Sequence, residues 1–430
     1  MVRIYECLMT YDTLIGLHRF EHTLKPKNGF LLLSPLKVIS KRGKIECWGS
    51  EIDSLEIREK GIPILIRALE ISDLEIWAPS KPTEIPGIIP KEWEDLVSRI
   101  KPGDVIMLLG GMDVGKSGLF AFLANKLVSA GMRVGLIDAD VGQSDIGPVG
   151  TIGLSLIDET VVHPSLAKPD GLFFIGDNTP RGHLLPMVMG TRMLLDIAKS
   201  EEADVILINT TGYIHSGPAR ALKRFKILAT QPSKVVILQR EDESEHIAKL
   251  VPSSSDLIKI HVPRNIRRKN HSFRIFLRQS NIRRYLEGAE SVRINIRDAK
   301  FTDTLFFSGS SAQDLVKELE ELLGRPVLYA EEAPDVIVCL LESLSGLKEL
   351  KLRGKPLRTA TRRGYEGLYV GFLDDVGLCH GVGIIERFMP EQGTLDIYTK
   401  FSGSFEYIAF GYLKFNKNGI QIGKRGLTEP

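Results

Sequence analysis

The feature that most constrains this chain is a glycine-rich segment between an apolar run and a helix-forming run. Residues 110–117 read GGMDVGKS, which fills the pattern G-x-x-x-x-G-K-S. The run VIMLL precedes it at 105–109, and a proline-free stretch follows it at 118–130. A strand, a glycine loop and a helix N-terminus together make a phosphate-binding loop (P-loop), because backbone amides and the lysine then point at one phosphate. The alternative is a glycine-rich turn that binds nothing.

Three stretches of the chain differ in the secondary structure that their sequences predict. Residues 1–98 are β-rich and end in a proline-rich linker at 79–90. Residues 99–290 alternate continuous apolar runs with amphipathic stretches, including predicted helices at 118–130 and 183–199. Residues 291–430 are again strand-rich, with one predicted helix at 311–323. We predict an α/β fold: a P-loop NTPase with a doubly wound parallel sheet, flanked by N-terminal and C-terminal β-rich domains.

Composition excludes several classes of protein. The 430 residues are 43% hydrophobic and 26% charged, as in an ordinary soluble chain and unlike a disordered or membrane-spanning one. Subtracting 54 acidic from 56 basic residues leaves +2, which permits a local basic patch but no steering by the whole molecule. The four cysteines form no C-x-x-C pair. With Arg3 and Glu6 interrupting the N-terminal apolar stretch, we predict a cytoplasmic or nuclear location and no membrane contact.

A pair of carboxylates follows the next predicted strand. The strand at 133–137 leads into Asp138-Ala139-Asp140-Val141-Gly142-Gln143, at the edge where doubly wound sheets place their chemistry. One carboxylate could hold a magnesium water while the other reaches the attacking group. The alternative is that both carboxylates cap the next turn. The chain has no N-K-x-D sequence, which disfavours a GTPase.

These motifs, in this order, resemble the polynucleotide 5′-hydroxyl kinases, the family of the messenger-RNA 3′-end cleavage factor kinase subunit and the nucleolar ribosomal-RNA-processing kinase. The loop has the family's Asp-Val pair, and D-A-D-V-G-Q is similar to its Walker B segment. Residues 209–213, NTTGY, resemble its clasp (T-x-G-W or T-x-G-Y), and residues 264–268, RNIRR, resemble its R-x-x-x-R lid. SPLKVISKRGKIECWG and IRRYLEG extend the likeness over about residues 30–290.

The resemblance implies a kinase that transfers the γ-phosphate of ATP, with Mg²⁺, to the 5′-hydroxyl end of RNA, with DNA as an open second substrate. It implies catalytic roles for Lys116, Asp140, Arg264 and Arg268. It implies that the nucleotide is bound by Gly110, Gly111, Met112, Asp113, Val114, Gly115, Lys116 and Ser117. It implies substrate contacts by Gln143, Thr210, Thr211, Gly212 and Tyr213. It implies that Ser117 and Asp138 serve the metal.

A run of basic residues without any acidic residue supports a nucleic-acid substrate. Residues 257–286 hold nine Lys and Arg and no Asp or Glu, whereas a solvated helix normally interleaves both signs. Arginine pairs at 220/224 and 274/278 share the four-residue spacing of the lid pair, which we place at 264/268 from its position before IRRYLEG. His183, at the predicted start of a helix, is left open between a capping or core residue and an acceptor contact.

Two other functions remain open at this point. One is a catalytically silent, ATP-bound scaffold subunit of an RNA-processing complex, which would show a damaged Asp140 or missing lid arginines. The other is a P-loop ATPase switch, which would consume ATP without regard to 5′-hydroxyl ends. The sequence does not identify protein partners.

Overall fold

The computed structural model describes residues 16–262, 270–345 and 350–426. Its N-terminal part contains β1 (His18–Leu24), β2 (Gly29–Leu33), β3 (Leu36–Arg42), β4 (Ile45–Cys47), β5 (Ser50–Ile52), β6 (Ser54–Ile57), β7 (Pro63–Ala68) and β8 (Ser72–Ala78). These strands form two antiparallel sheets, ordered β1-β8-β3-β6 and β2-β7-β4-β5. The N-terminal β-rich prediction is therefore confirmed.

The proline-rich segment 79–90 contributes no helix and no sheet strand, in keeping with prolines that lack a backbone donor. It forms an isolated bridge, in which Ile85 and Gly29 exchange both backbone hydrogen bonds (2.8 and 3.1 Å), and the amide of Ile88 donates to the carbonyl of Lys27 (3.2 Å). The segment thus lies against the edge of β2. It ends at Pro90, which precedes the short helix α1 (Lys91–Val97).

The middle of the chain alternates strands and helices. Its elements are β9 (Val105–Gly110), α2 (Lys116–Ser129), β10 (Val134–Ala139), β11 (Thr151–Ile157), β12 (Gly171–Phe174), α3 (Leu184–Ser200), β13 (Val205–Thr210), α4 (Gly217–Thr230), β14 (Lys234–Gln239), α5 (Glu245–Ala248), β15 (Asp256–His261) and α6 (His271–Leu286). Six of these strands, β9 to β11 and β13 to β15, follow one another in the sheet in the order β11-β10-β13-β9-β14-β15. All neighbours are parallel except β10 and β11.

The apolar runs form this sheet because they are covered on both faces. Every residue of β9, β10 and β13 is buried, which parallel strands between helices require. α2 contributes Leu119–Ala124 to the same core, and two tryptophans pack on its first turn: a Cβ at Gly118 would lie 3.1 Å from Trp48 and 3.2 Å from Trp93. This packing fixes the helix that leaves the phosphate-binding loop.

The C-terminal part contains β16 (Glu290–Asn295), β17 (Lys300–Thr302), α7 (Gln313–Leu323), β18 (Val327–Glu332), β19 (Ile337–Leu341), β20 (Lys351–Leu352), β21 (Lys355–Thr361), α8 (Arg362–Tyr365), β22 (Leu368–Leu373), β23 (Cys379–Met389), β24 (Thr394–Thr399), β25 (Tyr407–Phe415) and β26 (Gln421–Lys424). One sheet is ordered β16-β24-β23-β22-β25-β17, with β26 on β25, and the other β18-β19-β21-β20. Aromatic side chains fill the core, with Tyr365 stacked on Phe388 at 4.3 Å. The C-terminal β-rich prediction is confirmed.

The described chain divides into two compact units. The first runs up to Gly147 and includes Ile152–Asp170 and His183–Leu277, whereas the second holds Pro148–Thr151, Gly171–Gly182 and the chain from Arg278 onward. The predicted P-loop α/β sheet with flanking β-rich parts is confirmed, while the domain boundaries at 98 and 290 stay a prediction. Within the described ranges, no helix has the length and apolar character needed to cross a membrane.

Candidate active site

The phosphate-binding loop is shaped by two glycines with positive φ. β9 delivers Gly110 at a φ of 141°, where a Cβ would lie 2.1 Å from the Leu238 carbonyl oxygen. Gly115, at a φ of 93°, begins α2. A larger residue at either position would be strained, so the shape of the loop favours glycine at both. The loop therefore presents its amides at a helix N-terminus, as an anion-binding segment requires.

Lys116 lies inside this loop rather than out in solvent. Its Nζ donates to the carbonyl oxygens of Gly110 (3.1 Å) and Gly111 (2.6 Å), and its side chain is buried. Burial lowers the pKa of Lys116, and the nearby carboxylates of Asp140 and Asp113 act in the opposite direction. The ammonium is thus held where phosphate oxygens can replace loop carbonyls as its acceptors.

Two arginines from other elements brace the loop. Arg240, directly after β14, donates to the carbonyl oxygens of Asp113 (2.6 Å) and Met112 (3.3 Å). Arg274, on α6, pairs with the Asp113 carboxylate. Sequence reasoning missed Arg240 and treated Arg274 only as an alternative lid residue. Asp113 is the one acidic residue of the loop, and the chain also contains the arginine-rich run at 257–286. Together these two features are the signal that could have suggested the pairing.

Asp138 is a fully buried carboxylate at the end of β10. Its Oδ1 accepts from the amide of Asp140 (3.1 Å) and from Nδ2 of Asn209 (3.0 Å), and its Oδ2 accepts from the amide of Asp145 (2.5 Å). Burial, together with the carboxylates of Asp145 and Asp140, raises the pKa of Asp138 well above its usual value. Both of its oxygens are therefore engaged by N–H donors.

Asp140, two residues further on, has a different environment. It is only partly buried, and its Oδ1 accepts a single bond from the amide of Gly142 (3.2 Å). The amide of Gln143 donates to the Asp140 carbonyl (3.1 Å) and closes the turn. Of the two predicted carboxylates, Asp140 is therefore the one that an incoming group can reach.

The predicted clasp lies directly beside the phosphate-binding loop. β13 ends at Thr210, whose Oγ1 donates to the carbonyl of Leu108 in β9 (2.8 Å). A Cβ at Gly212 would lie 2.6 Å from Cγ and 2.8 Å from the backbone nitrogen of Met112. Only glycine lets the two segments approach this closely. Thr211 is buried, whereas Tyr213 is partly exposed and its hydroxyl hydrogen-bonds with Ser216 (2.8 Å).

Two buried lysines of α4 were missed from the sequence. Lys223 Nζ donates to Oγ1 of Thr210 (3.0 Å) and to the carbonyl (2.6 Å) and Oγ1 (3.3 Å) of Thr211. Lys226 is also buried, and its Nζ has no hydrogen-bond partner within the described residues. Burial lowers the pKa of both, that of Lys226 to about 7. The signal was their position on the apolar stripe of α4, shared with Ala219, Leu222, Ile227 and Thr230.

The predicted lid arginines, Arg264 and Arg268, lie outside the described residues. The alternative pair, Arg220 and Arg224, is exposed on α4, with the Arg224 guanidinium over the ring of Phe225 (5.3 Å). These two arginines thus lie on a solvated helix face.

His183 occupies the N-cap position of α3 but makes no side-chain cap hydrogen bond, and it is buried. Within the described residues, its placement is that of an interior histidine rather than of a capping one.

The residues present fit a magnesium ion that keeps most of its water. No group of three or more His, Cys, Asp or Glu within 16–262, 270–345 and 350–426 could hold a metal. Mg²⁺ in phosphate sites binds through one or two protein ligands, the phosphates and waters. Ser117, the partly exposed second residue of α2, has the hydroxyl for one such ligand. Asp138, with both oxygens engaged, suits a contact through water.

Fold and site together define a P-loop protein whose nucleotide-binding loop adjoins a second polar surface, the arrangement of a phosphotransferase. The family profile described as mRNA cleavage and polyadenylation factor CLP1 P-loop matches residues 110–288. The chain is 33% identical to a polyribonucleotide 5′-hydroxyl-kinase of Pyrococcus furiosus over 341 residues, covering 78% of this chain and 95% of that protein. A Pyrococcus horikoshii protein of the same name is 31% identical and is covered to 90%. The chain therefore belongs to the CLP1 P-loop family of polyribonucleotide 5′-hydroxyl-kinases.

A solved structure of a Clp1p–Pcf11p complex has the same fold. It superposes with a TM-score of 0.66, covers 92% of this chain and 98% of that chain, and shares 12% sequence identity. At this identity the likeness concerns the fold alone. It agrees with the P-loop sheet flanked by β-rich parts.

Proposed function

We propose that this protein is a kinase that transfers the γ-phosphate of ATP to the 5′-hydroxyl end of RNA. The observation that carries the proposal is the packing of Gly212 of the clasp on Met112 of the phosphate-binding loop. A loop for the donor and a segment for the acceptor are thereby adjacent, with a reachable carboxylate, Asp140, whose charge acts on Lys116. Membership in a family of 5′-hydroxyl-kinases supports the same activity.

On the donor side, the amides of residues 110–117 would cradle the β-phosphate, and Lys116 would exchange its loop carbonyls for β- and γ-phosphate oxygens. Arg264 and Arg268 would close over the triphosphate and offset the charge that develops during transfer. Arg240 and Arg274 would keep the loop in its binding shape through Asp113. Phosphoryl transfer needs positioning and charge stabilisation more than covalent chemistry, which these residues supply.

On the acceptor side, Asp140 would accept the proton of the 5′-hydroxyl as it attacks. Thr210, Thr211 and Gly212 would place the terminal nucleotide, and the ring of Tyr213 would stack on its base. Gln143 would orient the acceptor. Because Asp138 accepts hydrogen bonds from three N–H donors, its side chain would stay fixed while Asp140 accepts the proton of the 5′-hydroxyl.

A bound Mg²⁺ would neutralise charge on the phosphate oxygens. Ser117 would provide its ligand, and Asp138 would hold its water shell.

The test is incubation of the full chain with γ-labelled ATP, magnesium and matched 5′-hydroxyl RNA and DNA oligonucleotides. Label on the RNA supports the proposal, and label on the DNA widens the substrate class. ATP consumption that is independent of either oligonucleotide would point to an ATPase switch. ATP binding without consumption or label would point to a silent scaffold. Label on neither nucleic acid would overturn the proposal.

A further inference from the structure

Helix α4 places two lysines in the interior of the protein. Lys223 and Lys226 are three residues apart, so they share one helix face, and both are essentially inaccessible to solvent. Within the part of the chain that the structure describes, neither ammonium is joined to a carboxylate by an ion pair. Buried lysines without a charged partner destabilise a fold, and apolar residues of the same size usually serve it better.

Lys223 ties the clasp to the strand that leads into the phosphate-binding loop. Its ammonium donates to Thr210 and Thr211, and the Thr210 hydroxyl in turn donates to Leu108 of β9. Gly110 follows Leu108 by two residues. The position of the clasp relative to the donor loop therefore depends on a continuous set of hydrogen bonds that includes a lysine.

We propose that Lys223 is a positioning residue for the acceptor: it holds Thr210 and Thr211 of the clasp against β9. This inference rests on the proposed kinase function. Lys223 itself does not touch the substrate. Its replacement changes where the clasp lies and leaves the phosphate-binding loop intact.

The experiment compares Lys223→Met with Lys199→Met, an exposed lysine of α3 that undergoes the same chemical change. For each full-length variant, kcat, the KM for 5′-hydroxyl RNA, the KM for ATP and the melting temperature are measured. We expect kcat/KM for RNA to fall about tenfold or more in Lys223→Met and to stay at the wild-type value in Lys199→Met. The KM for ATP should stay within about twofold of wild type in both variants.

A purely structural role for Lys223 predicts a lower melting temperature with unchanged KM values for RNA and ATP. If Lys223→Met folds and keeps the wild-type kcat/KM for RNA, its positioning role is overturned. If Lys223→Met does not fold, Thr210→Val replaces it as the probe, because it removes one acceptor of Lys223 and the bond to Leu108 at once. Thr210→Val with wild-type KM for RNA would overturn the role of Lys223. A wild-type protein without label transfer would refute the kinase proposal itself, whereas a fully active Lys223→Met beside an active wild type refutes only this inference.

Discussion

The donor half of the site, residues 110–117, and the acceptor half, the clasp at 209–213 with α4, each contain a buried lysine but are built differently. In the donor half, Lys116 bonds to carbonyls five and six residues away. In the acceptor half, Lys223 bonds to threonines twelve and thirteen residues away, and Thr210 continues to Leu108, 102 residues away. The contiguous segments of both halves leave motifs in the sequence, whereas contacts that join separate elements, such as that of Lys223 with Thr210, do not.

The largest effect should come from the donor half. Lys116→Met removes the charge that would bind phosphate oxygens in both the ground state and the transition state. We expect kcat/KM for ATP to fall about 10³-fold, in line with the loss of one strong donor to a transferring group. Steady-state kinetics with RNA in excess measure this. A loss below about tenfold would contradict the placement of Lys116 at the phosphates.

Asp140→Asn tests whether the partly buried carboxylate of Asp140 acts as the general base between the two halves. The amide keeps the shape but cannot take the proton, so kcat should fall about 10²- to 10³-fold, while ATP binding persists. Equilibrium binding of ATP, measured beside turnover, separates the two. Retained turnover would remove Asp140 from the role of base.

Gly212→Ala tests the contact between the halves. The new methyl would lie 2.6 Å from Met112 Cγ, so the clasp must shift, at a cost of about 1–3 kcal/mol. We expect about a tenfold loss in kcat/KM for RNA. Gly217→Ala is the matched control, because a Cβ there meets nothing within 4 Å. Equal activities of the two variants would mean that the Gly212–Met112 contact does not matter for catalysis.

Tyr213 separates stacking from hydrogen bonding within the acceptor half. Tyr213→Ala removes a ring that would stack on the terminal base, worth about 1–3 kcal/mol of RNA binding. Tyr213→Phe keeps the ring, loses the hydrogen bond with Ser216 and should stay within about twofold of wild type. The KM for RNA measures both. A larger loss in the Phe variant than in the Ala variant would show that the hydroxyl, not the ring, is used.

The smallest effect concerns stability and its dependence on pH. Burial holds the pKa of Lys226 at about 7, below its ordinary value of 10.5. Between about pH 7 and pH 10.5, Lys226 is protonated in the unfolded chain but neutral in the folded chain. The destabilisation of the folded state by the buried ammonium is therefore complete below about pH 7 and decreases as the pH rises to 10.5. The gain in melting temperature of Lys226→Met over wild type should shrink across this window. A gain that is independent of pH would contradict the lowered pKa.

Local patterns predicted most of the fold. The apolar runs at 105–109 and 133–137 correspond to β9 and β10, and the helix predicted at 183–199 is α3 at Leu184–Ser200. Continuous apolar runs between amphipathic stretches can hardly pack in any way other than as parallel strands covered by helices. The prediction of this sheet was correct for that reason. The antiparallel pairing of β11 with β10 had no such signal.

The site was predictable only where chemistry is contiguous. The sequence indicated the loop, the carboxylates and the clasp, but not that Asp138 is enclosed by N–H donors while Asp140 is reachable. The difference arises because the amide of Asp145, in the turn after β10, and the side chain of Asn209, in β13, both donate hydrogen bonds to Asp138. The lysines of α4 were overlooked because a Lys within an apolar stripe is usually assigned to solvent.

The most direct test of the account is the ratio of 5′-phosphate ends formed to ATP consumed, measured in one reaction with 5′-hydroxyl RNA and magnesium. Adjacent donor and acceptor halves predict a ratio close to one and little ATP loss when RNA is omitted. A ratio near zero, with ATP consumed equally in the absence of RNA, would contradict the account.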